Sequence, residues 1–238
     1  MSIINKYGFQ VQREHYPEKS EFKFGYNPEV GTDPETIWDG GGLYSYPTSA
    51  SIMKVSSSNN LDTSTTLTIY GLNENYDAVS ESITLNGQTA VNTTNQYIRS
   101  LRVIVNTNEP QGDIYVGTGT VTSGVPANVY AKVHIGENQT LMAIWTVPRN
   151  HTAYLYDVNF NTGTTVANKF IEGRLKVKPF GEVFQTKGHI TTATNSDINY
   201  SIPLILTEKT DVELQAFASS GTNAVSATMS FIYIDNDC

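Results

Sequence analysis

The sequence holds a single cysteine in 238 residues, Cys238, at the very end. No intrachain disulfide can form. A disulfide-stapled secreted scaffold is therefore excluded, and so is a structural zinc site built from thiolates. Cys238 reads as an exposed terminal thiol. Charge is scarce as well: Asp, Glu, Lys and Arg make up 16% of the chain, against roughly 25% in an ordinary globular domain. Acidic residues outnumber basic ones by 23 to 15, for a net charge of −8. The few cations are not clustered, so the chain lacks the patch that nucleic-acid phosphates or anionic lipids require, and no nucleic-acid or membrane partner is expected. Apolar runs are short, none near the ~20 residues of a membrane helix. The opening MSIINKYGFQ has no apolar h-region, so a signal peptide is not expected.

Catalytic patterns are missing too. The four histidines, His15, His134, His151 and His189, form neither HExxH nor HxH, so no metal is expected. No GxSxG supplies a nucleophile elbow. Gly117-Thr118-Gly119-Thr120 lacks the third glycine and the following helix of a dinucleotide turn, and reads as a flexible loop. Gly40-Gly41-Gly42 lacks the Lys-Ser/Thr of a phosphate loop. Two carboxylates merit attention as a glycosidase-type pair, Asp39 among aromatics and Glu81 on an otherwise apolar strand face. Glu81 is expected at a sheet rim, because a buried unpaired carboxylate is costly. Neither catalysis nor a cofactor is expected.

What is present is β-structure. Hydrophobic residues make up 39% and aromatics 11%, enough for a real core. Alternating or apolar runs at 51–56, 65–72, 79–85, 97–105, 113–116, 129–135, 140–147, 151–160, 169–177, 182–185, 198–206, 211–218 and 225–234 predict strands. Asn86-Gly87 is a hairpin signal. Pro203, opposite the face carrying Ile198, Tyr200, Ile202, Leu204 and Leu206, predicts an edge strand or a bulge. No window holds a 3.6-residue period. The expected fold is all-β: one or two antiparallel sandwich or jelly-roll-like domains, over 38–138 and 139–238.

The proline-broken stretch 1–37 predicts an extended N-terminal arm. It carries Phe22, Phe24 and Tyr26, too many rings to leave uncovered, so its own core or a neighbouring subunit should take them up. Trp38, Tyr44 and Tyr46 flank the three glycines, either as turn residues packing on a sheet or as a binding surface. These six aromatics are the candidate interaction surface.

The segments Trp38-Asp39-Gly40-Gly41-Gly42-Leu43-Tyr44-Ser45-Tyr46-Pro47-Thr48, Tyr70-Gly71-Leu72-Asn73-Glu74-Asn75-Tyr76-Asp77, Ser80-Glu81, Leu85-Asn86-Gly87 and Leu141 to Pro148 resemble virion-associated proteins of marine tailed bacteriophages, including cyanophages. Glu208 to Asp211 and Val225 to Ala227 fit as well, so the resemblance runs from about Trp38 to Ile234. It implies a particle component present in many copies, made in the host cytoplasm and doing no enzymatic work. It transfers no functional residues. The expected role is capsid decoration, with the major capsid protein or other virion proteins as partners and with homo-oligomer formation. A tail, neck or baseplate component is the alternative. A host-glycan-binding attachment module is another, because aromatic faces stack on sugars and amides bond hydroxyls.

Overall fold

The computed structural model describes residues 11–12, 18–163 and 169–237. In chain order its strands are β1 (Lys19–Val30), β2 (Glu35–Thr36), β3 (Ser51–Ser57), β4 (Thr66–Leu72), β5 (Ala78–Thr84), β6 (Val91–Tyr97), β7 (Arg99–Thr107), β8 (Ile114–Thr122), β9 (Val125–Val133), β10 (Ile144–Thr146), β11 (His151–Thr162), β12 (Ile171–Lys178), β13 (Gln185–Thr192), β14 (Asn195–Leu206), β15 (Asp211–Ala218) and β16 (Asn223–Asp235). Every ladder is antiparallel, and the fold is all-β.

The chain divides into two compact units. Unit 2 is the continuous stretch Trp38–Met142, and unit 1 comprises the described residues on either side of it. This corrects the expected layout. Of the expected arm 1–37, the described residues 18–37 are not a separate extension, and most of the rest lies outside the described residues: Lys19–Val30 pairs along its length with β16, through Phe22↔Ser230, Phe24↔Thr228 and Tyr26↔Ser226. The physical reason lies in its alternation. Lys23, Gly25 and Asn27 turn inward while Phe22 and Phe24 turn outward, a period-two pattern that Pro17, Pro28 and Pro34 obscured in the sequence. The later boundary also moves, from 138 to Met142.

Unit 1 is a sandwich. One sheet runs β1-β16-β11-β14 and the other β10-β15-β12-β13, with β2 beside β15. Its core joins Phe160, Phe231, Leu155 and Val158 from the first sheet to Leu175, Val177, Leu214 and Trp145 from the second. The sheets lie so close that a Cβ on Gly173 would meet the Phe160 ring at 2.9 Å. Trp145 packs on Phe231 with ring centroids 4.6 Å apart. Burying such side chains is worth roughly 1.5–3 kcal/mol each. Pro203 sits on an edge strand, as expected. The ladder to β11 slips between Leu155 and Asp157, which leaves Ile202 85% exposed instead of facing the core with Leu206.

Unit 2 has a four-stranded sheet, β6-β3-β8-β9, and a three-stranded one, β5-β4-β7. Met53, Val55, Leu67, Ile69, Tyr97, Val103, Ile114, Val116 and Val133 are fully buried or nearly so. Three expectations change here. The run 97–105 is two strands in different sheets, broken at Ile98. Asn86-Gly87 makes a tight turn closed by an Asn86↔Thr89 bridge, but β5 and β6 belong to different sheets and form no hairpin ladder. Gly117 to Thr120 lies inside β8. Its ladder to β9 is irregular there, because Gly117 lets the Asn128 carbonyl approach to 2.0 Å of where a Cβ would sit.

Candidate functional site

The two groups of candidate aromatics have opposite environments. Trp38 and Tyr44 are buried, at 4% and 7% exposure, so neither can stack on an external sugar. They build a knot within unit 2. The Trp38 indole N–H donates to the carbonyls of Gly41 (3.0 Å) and Gly42 (3.2 Å), folding the glycine turn under its own ring. A Cβ on Gly40 would fall 2.3 Å from that ring, which is why a glycine stands there. Tyr44 meets Trp38 edge-on at 5.1 Å, donates its hydroxyl to the Tyr130 carbonyl, and meets Tyr46 edge-on at 4.8 Å. The Arg99 guanidinium lies 5.0 Å from the Tyr46 ring and 5.6 Å from Tyr76, and donates to the carbonyls of Pro47 and Ile98. The turn reading of these residues is the one the geometry matches.

Asp39 belongs to the same knot. Its backbone N–H donates to the Leu141 carbonyl, and its Oδ2 accepts the Leu141 N–H at 3.1 Å. Its Oδ1 is buried with no hydrogen-bond partner. Burial pushes the carboxyl up to about 8, against the opposing pull of the Leu141 N–H and of Lys132, while Asp113 adds to the rise. The side chain clasps the two segments where the chain enters and leaves unit 2. Glu81 is also structural: it accepts N–H groups from Thr94 and Asn95 and the Tyr97 hydroxyl. Among the described residues no group of three or more His, Cys, Asp or Glu is placed to hold a metal ion. No helix there is long and apolar enough to cross a membrane.

Phe22, Phe24 and Tyr26 look outward from unit 1. Phe22 is 56% exposed, Phe24 37%, and Tyr26 half-buried. Register places each at the head of a row crossing the sheet: Phe22-Ser230-Asp157-Asn199, Phe24-Thr228-Asn159-Asp197 and Tyr26-Ser226-Asn161-Asn195. Behind the aromatics, every position in these rows is a hydroxyl, an amide or a carboxylate. None is a cation. The Asn161 side-chain amide donates to Oδ1 of Asn159, and the Asn159 side-chain amide donates to the Asp197 carboxylate, a chain of bonds that orients the groups. Partial burial, and then the neighbouring Asp197, hold Asp157 above the usual carboxylate range. Tyr156 sits in the β11 bulge and bonds Ser230. Sequence reasoning missed the polar rows. Their signal was visible as alternation in DVNFN and VSATMS, but which strands lie side by side was not.

The other exposed feature of this sheet is β14, a twelve-residue edge strand. Ile202 and Ile205 on it are 85% and 62% exposed. No strand pairs with its outer side among the described residues.

No protein-family model matches the chain, and no curated protein does. Solved structures give weak likenesses to VP2 of infectious bursal disease virus. The particle of the Gx strain shares 10% identity over 92% of this chain and 72% of that one, with a TM-score of 0.26. The VP2 subviral particle shares 11% over 93% and 73%, with a TM-score of 0.25. These neighbours are viral particle proteins, but at such scores the likeness carries neither a shared fold nor a function to this chain.

Proposed function

We propose that this chain is a non-enzymatic structural protein of a tailed-phage particle, a decoration protein bound to the outside of the head. The observation that carries the reading is the β14 edge. A long edge strand exposes a row of backbone donors and acceptors, and soluble proteins normally blunt such edges with charge or cover them. Here Ile202 and Ile205 face solvent on either side of Pro203, and the one charged side chain of the strand, Asp197, lies toward its other end. An apolar edge of this kind suits strand addition or side-by-side packing on a neighbouring protein. The resemblance of the Trp38–Thr48 and Leu141–Pro148 segments to virion proteins supports the same reading. The major capsid protein, or a second copy of the chain on a symmetric shell, is the partner that fits it.

The test is binding of the full chain to purified phage heads, with an Ile202→Asp/Ile205→Asp double variant beside it. The wild-type chain co-sediments with heads and the variant, with an unchanged circular dichroism spectrum, does not. Equal binding of both overturns the β14 reading. Copy number in purified particles separates head decoration, in the hundreds, from a tail or baseplate place, in tens at most.

A further inference from the structure

We infer that the outward face of the β1-β16-β11-β14 sheet is a binding site for a neutral polysaccharide chain. The inference rests on a face of the sandwich, not on its β14 edge, and is independent of the virion assignment. Three features converge. Phe24 and Tyr26 form an aromatic edge on β1, with Phe24 37% exposed. Apolar rings present flat faces to the C–H surfaces of a pyranose, and a partly exposed ring gains most from such cover. Beside them lie Thr228, Asn159 and Asp197 in the central row, donors and acceptors at the strand spacing of about 4.8 Å. Four strands by three rows cover about 14 by 14 Å, the footprint of a short oligosaccharide and not of a single sugar.

The second feature is preorganisation. Asn161, Asn159 and Asp197 are already bonded to one another, so the amides hold fixed orientations before any ligand arrives. Less rotamer freedom is then lost on binding. The third is charge. The rows carry the carboxylates Asp157 and Asp197 and no Lys or Arg. Carboxylates accept hydrogen bonds from hydroxyls well, and repel the sulfated or uronate groups of anionic polymers and the phosphates of nucleic acid. A protein partner is disfavoured by the same composition, because interface centres are depleted in Asp and Ser and built on buried anchors.

The test is affinity electrophoresis of the full chain through gels containing dextran, laminarin, mannan or galactan. At least one of these neutral polymers retards the protein. Phe24→Ala weakens that retardation at least tenfold, and Asn159→Ala weakens it with circular dichroism unchanged. No retardation by any of the four overturns the inference, as does retardation that both variants preserve. Self-association abolished by Phe24→Ala, without polysaccharide binding, assigns the face to a second copy and overturns it too.

Discussion

Two trios of aromatic residues lie close together in the chain and meet opposite fates. Trp38, Tyr44 and Tyr46 close on one another, and on Arg99, within unit 2. Phe22, Phe24 and Tyr26 line the outer edge of a sheet in unit 1. Composition does not separate them, since both trios mix Tyr with other aromatic rings. The difference comes from what surrounds each ring. Glycines 40–42 let the backbone fold back under Trp38 and supply two carbonyls to its indole N–H. On β1 the small Gly25 takes the inward position, where a Cβ would collide with the Ile37 carbonyl at 2.2 Å, so the large rings take the outward ones. Thus one trio packs into unit 2, and the other looks outward from unit 1.

That contrast can be broken in four ways. The largest effect belongs to Trp38→Ala, which empties a buried site and lowers stability by about 3–5 kcal/mol, read as a reduced urea midpoint. Comparable in size is the pH dependence contributed by Asp39. Its folded carboxyl titrates near 8 and its ordinary value is 3.8, so the folded state holds the proton more tightly. The stability this group contributes is complete below 3.8 and is lost as pH rises through about 8, a change on the order of several kcal/mol. Urea midpoints from pH 4 to 9 should fall accordingly. Asp39→Asn should flatten the profile and be the more stable form at pH 9.

Smaller is Arg99→Lys, which keeps the charge but gives up the planar group that spans two carbonyls and two rings, at a cost of about 1–3 kcal/mol in the same assay. Smallest is Phe22→Ala. On an exposed strand position it should move stability by no more than about 0.5 kcal/mol. A loss there as large as that of Trp38→Ala would show that both trios are structural.

Much of this architecture was legible in the residues. Strand runs such as Asp211–Ala218 and Val225–Ile234 announce themselves by alternation, and the structure places β15 and β16 there. The edge role of Pro203 followed from its missing N–H. β1 was not legible, because prolines around it mimic an irregular lead-in and its inward residues, Lys23, Gly25 and Asn27, are not apolar. The break at Ile98 between β6 and β7 was hidden inside one continuous apolar-rich run.

The chain alone determined that this is a β-protein without an intrachain disulfide, poor in charge and rich in Thr, Val and Ile, since local periodicity and composition act over a few residues. Only tertiary pairing decided that the first described strand lies against the last, and that unit 2 interrupts unit 1 between Ile37 and Ala143. Only pairing aligned Phe24, Thr228, Asn159 and Asp197 in one row. Such registers are set by contacts between residues far apart in sequence, chosen by which inward faces fill a common core.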